Sequence, residues 1–534
     1  MTNSDPESSE DHTRQAGIRR SAAIISAGNV ASRILGLIRE QVIAFLFGAG
    51  PLVDAFVVAS QVPTLIYDLL IGGLLSSALV PVFSDYTNPE QRRELWRLAS
   101  TVLNIVAGVM AVFVLVIEIG APWVALAMGA GFSPETLAAA TKMIRIMVPA
   151  LIFFGLSGAV TGLLYTLQRF RYPALGAATF NTTVIVIGVI LSKPLGIYSL
   201  AVGVLVGAGM QLIIQLPDLP RAHLQFKVDF AHPGLKRIGQ LYLPILLGLV
   251  VSNIGVVIDR NLASRTGAGS IAWMRYATTL IQAPLGLISV AVSIAALPSL
   301  SRLHTAGDLS GFRDTLTRSL RLILVLIIPA TFGLFVLAKP TIQLIFEHGQ
   351  FTQSDTLQTT RALRLYLLGL PGAAIDWPLI FAFYARKDTL TPALVGIVVV
   401  IIYLVVAPTL AFVAGMGFLG LVAANSVQLT SHALIMIFLI HRHINMMRNS
   451  GLGTTLVKST FSALIMATLV WVMHTQVLSV LNPSRVLDQS IGLIIAFIFG
   501  LISYIVLALI LRVEEIHEVW ALLRLKFPSR LDHR

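Results

Sequence analysis

The chain contains no cysteine. Disulfides, iron–sulfur clusters, thiolate zinc sites and cysteine nucleophiles are therefore excluded. It is also poor in charge. Asp, Glu, Lys and Arg make up 12% of its 534 residues, where a soluble domain carries roughly a quarter. Hydrophobic residues make up 56%, and the mean hydropathy is +0.83. A water-facing surface needs charge and a lipid-facing one does not, so most of this chain is solvated by lipid. Signatures of catalysis are missing too. Glu347-His348 has no second ligand at metal spacing, and His441 and His443 flank Arg442 with no carboxylate close by in sequence. Gly203, Gly207 and Gly209 lie inside an apolar helix, where they permit close packing, and not in a phosphate-binding loop after a strand. The reading is a non-enzyme with no metal and no cofactor.

What is present is a series of apolar runs. A spanning helix needs about 20 apolar residues. Helices are expected at 21–46, 54–84, 96–118, 137–165, 173–192, 197–217, 241–264, 270–298, 320–338, 356–384, 391–413, 417–440, 456–477 and 489–511. That is an all-α polytopic membrane protein of about fourteen transmembrane helices. Residues 1–20 are polar and are expected to form a disordered cytoplasmic tail. They do not have the order of a cleavable signal, because acidic residues come first and no small-residue cleavage site follows a short apolar core. Residues 514–534 are expected to form an amphipathic cytoplasmic tail.

Basic residues resist translocation, so cytoplasmic loops are the basic ones. Assigned to alternate sides, the loops and termini carry 26 Lys and Arg on one side and 4 on the other. The four are Lys193, Arg265, Lys339 and Arg485. The bias implies an even number of helices, with both termini cytoplasmic. It also accounts for the formal net charge of +12 without a nucleic-acid partner.

Two regions repeat. GAG at 48–50, Pro63 and ALVPVFS at 78–84 are matched by GAG at 267–269, Pro284 and AALPSLS at 295–301. The near-constant offset places six helices between the copies, which gives them the same orientation. The expectation is two parallel six-helix lobes, 21–220 and 221–445, with two further helices in 446–513.

Eight basic residues fall within the expected helices: Arg33, Arg39, Lys142, Arg145, Arg260, Arg275, Arg361 and Arg364. An intramembrane charge is costly and usually faces a cavity or a partner. Arg33 lies about 18 Å into helix 1, and Asp68 about 21 Å into helix 2. Glu40 shares a face with Arg33. Asp54 opens helix 2, Asp259-Arg260 lies near the outer end of helix 7, and Arg275 lies in the outer part of helix 8. Arginine's planar fork binds phosphate oxygens in pairs, so a pyrophosphate headgroup is a natural guest. Internal pairing, as in Arg33 with Asp68 or Asp259 with Arg275, is the competing explanation. Lys142, Arg145, Arg361 and Arg364 sit near outer helix ends and can snorkel.

The segment GNVASRILGLIREQVIAFLFGAGPLVDAFVVASQVP at 28–63 resembles the MurJ/MviN family, lipid II flippases of the MOP exporter superfamily. GLLSSALVPVFSDY at 73–86, the helix 7–8 region at 258–286, GQFT at 349–352 and FYARKDTLTP at 383–392 extend the resemblance over most of 21–440. It implies a central cationic cavity and a hydrophobic groove at the last two helices that holds an undecaprenyl tail. It implies lipid II, the undecaprenyl-pyrophosphate-linked disaccharide-pentapeptide of peptidoglycan biosynthesis, as substrate, moved by alternating access in the cytoplasmic (inner) membrane by a monomer. Substrate-binding residues expected from intramembrane charge and resemblance together are Arg33, Arg39, Asp54, Arg260 and Arg275. Asp259, Asp68 and Glu40 are expected as ion or charge-pair residues. Two positions depart from the family pattern: Tyr67-Asp68 replaces an arginine midway along helix 2, and Thr279 replaces one in helix 8, one turn beyond Arg275. These departures keep open another MOP-type exporter, of a different polyprenyl-linked glycan or a small solute. A non-transporting protein that binds such precursors is a third possibility. Some relatives hold sodium near an acid that Asp259 matches, but helix 11 offers only Tyr403, so membrane potential is the expected driving force.

Overall fold

In the computed structural model, residues 6–69, 78–219, 224–225, 228–444, 446, 450–480 and 485–516 are described, without the side chains of 6–23, 244–252 and 478–480. The described residues form helices and their connections, with no strand. The helices are α1 (Pro6–Phe47), α2 (Pro51–Tyr67), α3 (Val80–Ser84), α4 (Arg92–Gly129), α5 (Pro134–Met147), α6 (Ala150–Thr166), α7 (Arg171–Leu195), α8 (Tyr198–Ile213) and α9 (Pro233–Ser264). They continue with α10 (Ser270–Pro284), α11 (Ala291–Thr305), α12 (Leu309–Val336), α13 (Ala338–Phe346), α14 (Gln353–Ala385), α15 (Leu390–Pro408), α16 (Phe418–Ile444), α17 (Leu452–Val480) and α18 (Val486–Ile510).

Among the described residues, ten helices are long and apolar enough to cross a membrane, or eleven if the bent pair α5–α6 is one span. The other three expected spans are helical as well. They correspond to α1, which carries charge along its length, to α2 with α3, and to α9. Helix starts follow local chemistry. Ser133 accepts from the Thr136 amide ahead of α5, and Thr352 and Asp355 form a reciprocal capping box at α14. α1 differs from expectation at its start. It begins at Pro6, so the segment expected to be disordered is helical from there. Most of the expected C-terminal tail, 517–534, lies outside the described residues, as does the 70–77 part of the first repeat copy.

The repeat is visible in the backbone. Gly48, Gly267 and Gly269 all have positive φ, which only glycine adopts without strain. Both copies then carry a proline followed by π-helical turns, at Asp68–Leu69 after Pro63 and at Leu285–Val290 after Pro284. Proline removes an amide donor and crowds the preceding turn, which loosens the ladder toward the wider π form.

By packing, the chain divides into two compact units, 1–272 and 273–534. The division lies after α9, not at the expected 220/221 boundary. α9 is tied to the first unit by side-chain hydrogen bonds: Asn261 Nδ2 donates to the Ala127 carbonyl at 2.8 Å, and the Gly131 amide donates to Ser264 Oγ at 3.0 Å.

On several helices small residues line the packed face while large apolar ones face outward, as expected where helices are solvated by lipid. In the second unit, α18 buries Gly492, Ala496, Gly500 and Ala508 while Phe497, Ile498 and Leu501 are exposed. In the first, α4 exposes Leu115, Val116, Ile119 and Trp123.

Candidate functional site

In the first unit, α1 and α7 touch backbone to backbone. A Cβ added at Gly28 would stand 2.3 Å from the Ala174 carbonyl oxygen. About three turns further along α1, Arg39 donates from Nη2 to Glu40 Oε1 at 2.8 Å and from Nη1 to Asn181 Oδ1 of α7 at 3.0 Å. Asn181 Nδ2 in turn donates to the Ser32 carbonyl at 3.1 Å. Glu40 is buried. Arg39 and Glu40 thus cancel each other's charge and pin α1 to α7. Arg33, on the same helix, is exposed, and so is Asp68.

Asp54 is buried and serves a distant helix. Its Oδ2 accepts from the Gly269 amide at 2.6 Å and its Oδ1 from the Ala272 amide at 2.8 Å. Those amides stand at the start of α10, Gly269 just before it and Ala272 in its first turn, where the helix itself supplies no acceptor. The carboxylate also complements the positive end of the helix dipole. Arg260 lies close enough for its charge to act on Asp54. Its Nη1 stands 3.8 Å from Asp259 Oδ2, and its Nε is buried without a hydrogen-bond partner. Both oxygens of Asp54 are thus engaged by amides at the start of α10.

The second unit holds Arg275, which is half-buried. Thr278 Oγ1 and Thr279 Oγ1 both donate to its carbonyl at 2.9 Å. Trp273 Nε1 donates to Asp355 Oδ1 at 2.9 Å and fixes the turn before it to α14. Of the expected residues, the structure therefore joins Arg39 with Glu40, and Asp54 with Arg260 and Asp259. Arg33 and Asp68 remain exposed in the first unit, and Arg275 belongs to the second.

The outer basic residues have local partners. Lys142 lies over the Tyr198 ring, Arg145 Nε is 3.8 Å from Glu118 Oε2, and Arg364 lies over the Phe335 ring. α15 carries Tyr403, which is buried, and no charge. Among the described residues no group of three or more His, Cys, Asp and Glu could hold a metal.

One pair was missed from the sequence. His432 Nδ1 of α16 meets Asp376 Oδ1 of α14 at 2.6 Å, with side chains 12% and 15% exposed. Both residues fall inside expected spans, so an intramembrane carboxylate and imidazole were the available signal.

The second unit also has an open pocket of about 790 Å³ lined by Arg313, Arg318, Arg321, Glu514 and Glu515 among others. Arg321 binds both glutamates, Nη2 to Glu514 and Nε to Glu515. The guanidinium's hydrogen bond and charge hold the Glu514 carboxyl below its ordinary range.

A bundle of apolar helices with ionisable groups tied in pairs, ten or eleven of the described helices being long enough to span, defines a polytopic membrane protein. The fold is shared with solved transporters of the MOP superfamily. A multidrug resistance MATE family transporter in an inward-facing conformation superposes with a TM-score of 0.67 at 13% identity, over 78% of this chain and 96% of that one. The family is narrower. The family model described as lipid II flippase MurJ matches residues 43–491. The lipid II flippase MurJ of Burkholderia cenocepacia is 32% identical over 72% of this chain and 76% of its own length. A probable lipid II flippase MurJ of Vibrio cholerae is 33% identical over 77% and 80%. A solved lipid II flippase MurJ, in an inward closed conformation, has a TM-score of 0.77 at 27% identity, over 92% of this chain and 99% of that one. The chain belongs to the MurJ lipid II flippase family.

Proposed function

We propose that this chain flips lipid II from the inner to the outer leaflet of the cytoplasmic membrane by alternating access. The family match over residues 43–491 carries the reading. Arg33 supports it from the side of chemistry: it is an exposed guanidinium on an apolar helix, where a charge usually faces a cavity or a partner. A pyrophosphate offers that fork paired oxygens. Arg275, one turn before Thr279, supplies the cation that the family pattern places in helix 8. The apolar outward face of α18, beside α17, suits an undecaprenyl tail. Both termini lie in the cytoplasm, as the basic bias of the loops requires. The protein works as a monomer, and membrane potential drives transport without sodium, because α15 offers no carboxylate or amide to ligate one. The deciding experiment is complementation of a bacterium depleted of its own lipid II flippase, with lipid II on the outer face measured directly. Growth restored together with outer-face lipid II supports the reading. Correct insertion with neither restored defeats it.

A further inference from the structure

The open pocket beside Arg321 lies where helix ends of the second unit meet. α11 lines it with Val292, Ala295, Ala296 and Ser299 before ending at Thr305. α12 begins at Leu309 and brings its first half, and Glu514 and Glu515 follow the end of α18 at Ile510. Ends of spanning helices stand at the level of the lipid headgroups. In the orientation proposed above, this is the cytoplasmic leaflet.

The charges lining the pocket balance in total but not locally. Arg321 is bound by both glutamates, Nη2 to Glu514 and Nε to Glu515, which leaves that end with one negative charge in excess. Arg313 and Arg318 face a single carboxylate, Asp314, which leaves the other end with one positive charge in excess. Along the axis of α12, Arg318 precedes Arg321 by about 4.5 Å and Arg313 precedes it by about 12 Å.

Two buried polar atoms of lining residues are unmatched. Glu515 is 5% exposed, and its Oε1 accepts from Arg321 and from Thr455 Oγ1 at 3.3 Å. Its Oε2 has no hydrogen-bond partner among the described residues. Neither has Oγ1 of Thr317, which is 6% exposed and lies one turn before Arg321. A carboxylate oxygen buried without a donor is costly, and an N–H from a guest would satisfy it.

We propose that this pocket binds the phosphoethanolamine headgroup of a membrane phospholipid. The ammonium sits at the glutamate end and donates to Glu515 Oε2, and the phosphate accepts from Arg313 and Arg318. The head carries one charge of each sign across a short link, which matches the two local excesses. An anionic head would meet the glutamate end with no donor to offer. A choline head has no N–H and is recognised by aromatic rings, and no aromatic side chain is among the described residues lining the pocket. The guest is a lipid because the pocket becomes apolar with depth. Ala295 and Val292 lie one and two turns deeper than Ser299, and Ile294 beside them is 57% exposed, a path for acyl chains. The bound lipid ties the segment after α18 to α11 and α12.

The test uses the purified full-length protein in detergent. Intact-complex mass spectrometry counts retained dioleoyl phosphatidylethanolamine, phosphatidylcholine or phosphatidylglycerol, each added at equal concentration. The tails are identical, so differences report the headgroup. Wild type should bind the ethanolamine lipid roughly tenfold more tightly than either of the others, as for a charge-assisted hydrogen bond. Glu515→Gln should bring it down to the level of the choline lipid. Arg313→Gln with Arg318→Gln should weaken both lipids, since both present the same phosphate. Those two arginines stand at the pocket rim, so that variant still decides the matter if Glu515→Gln does not fold. Soluble glycerophosphoethanolamine should compete poorly. Equal retention of the three lipids by wild type, or a preference for phosphatidylglycerol, would overturn the proposal. So would ethanolamine-lipid retention that is unchanged in the folded variants. Competition by glycerophosphoethanolamine as strong as by the lipid would reassign the pocket to a free phosphoethanolamine compound. No readout involves lipid II, so the outcome is independent of the flippase reading.

Discussion

The Asp54 carboxylate of α2 accepts a hydrogen bond from the Ala272 amide of α10 at 2.8 Å, across 218 residues of sequence. With the Gly269 amide at 2.6 Å it forms a cap supplied from outside the helix. Asp54→Ala leaves those amides buried and unpaired, and should lower stability by about 1–2 kcal/mol. Asp54→Asn keeps one acceptor and should lose less. Thermal unfolding in a fixed detergent compares the three proteins. Equal stability of all of them would show that the cap contributes nothing.

Arg33 is expected to hold the precursor's pyrophosphate. Arg33→Ala should reduce flipping roughly a hundredfold while the protein remains folded, as for a loss of about 3 kcal/mol of charge-assisted hydrogen bonding. Arg33→Lys should recover only part, because an ammonium is a point charge without a fork. If Arg33 instead serves only to neutralise Asp68, the charge-free Arg33→Ala, Asp68→Ala double mutant should flip as well as wild type.

Thr279 donates to the Arg275 carbonyl, so the two share a helix face one turn apart. Arg275→Ala should lose activity. Moving the guanidinium by one turn, as Arg275→Ala with Thr279→Arg, should keep it. Failure of the relocated arginine in a folded protein would tie function to position 275 itself.

Orientation can be tested because the chain has no cysteine of its own. Glu90→Cys lies in a basic loop expected on the cytoplasmic side. An impermeant thiol reagent should label it only after permeabilisation. Labelling in intact cells would invert the topology.

Glu514 is held below its ordinary pKa of 4.5 by its hydrogen bond to Arg321 and by the charge of that guanidinium. A depressed carboxyl contributes stability above its unfolded pKa and loses it as pH falls through the folded one. The stability difference between wild type and Glu514→Gln should therefore be present at pH 7 and shrink below about pH 4.5. Salt should weaken it, since Glu514 is exposed. A difference that grows on acidification would contradict the assignment.

The spans were legible because lipid imposes a one-dimensional rule. Each crossing needs its own apolar run, so α12, α15 and α18 could be read from hydropathy alone. Of the two glycine pairs in the repeat, Gly48 and Gly267 share a positive φ, whereas Gly50 is extended where Gly269 is not. The π turns after Pro63 and Pro284 were not foreseen, since proline announces a disturbance of the ladder without saying how the backbone absorbs it.

Composition and pattern by themselves determined the class of protein and its helical segments, because burial cost and span length depend on local sequence. Only the tertiary structure decided what each charge does there. Arg39 met Glu40 and Asn181, Asp54 met the first turn of α10, and Asp376 met His432. Each of these roles depends on a partner from another turn or another helix. A charge in lipid must be neutralised, but no spacing rule along the chain says which remote group will do it.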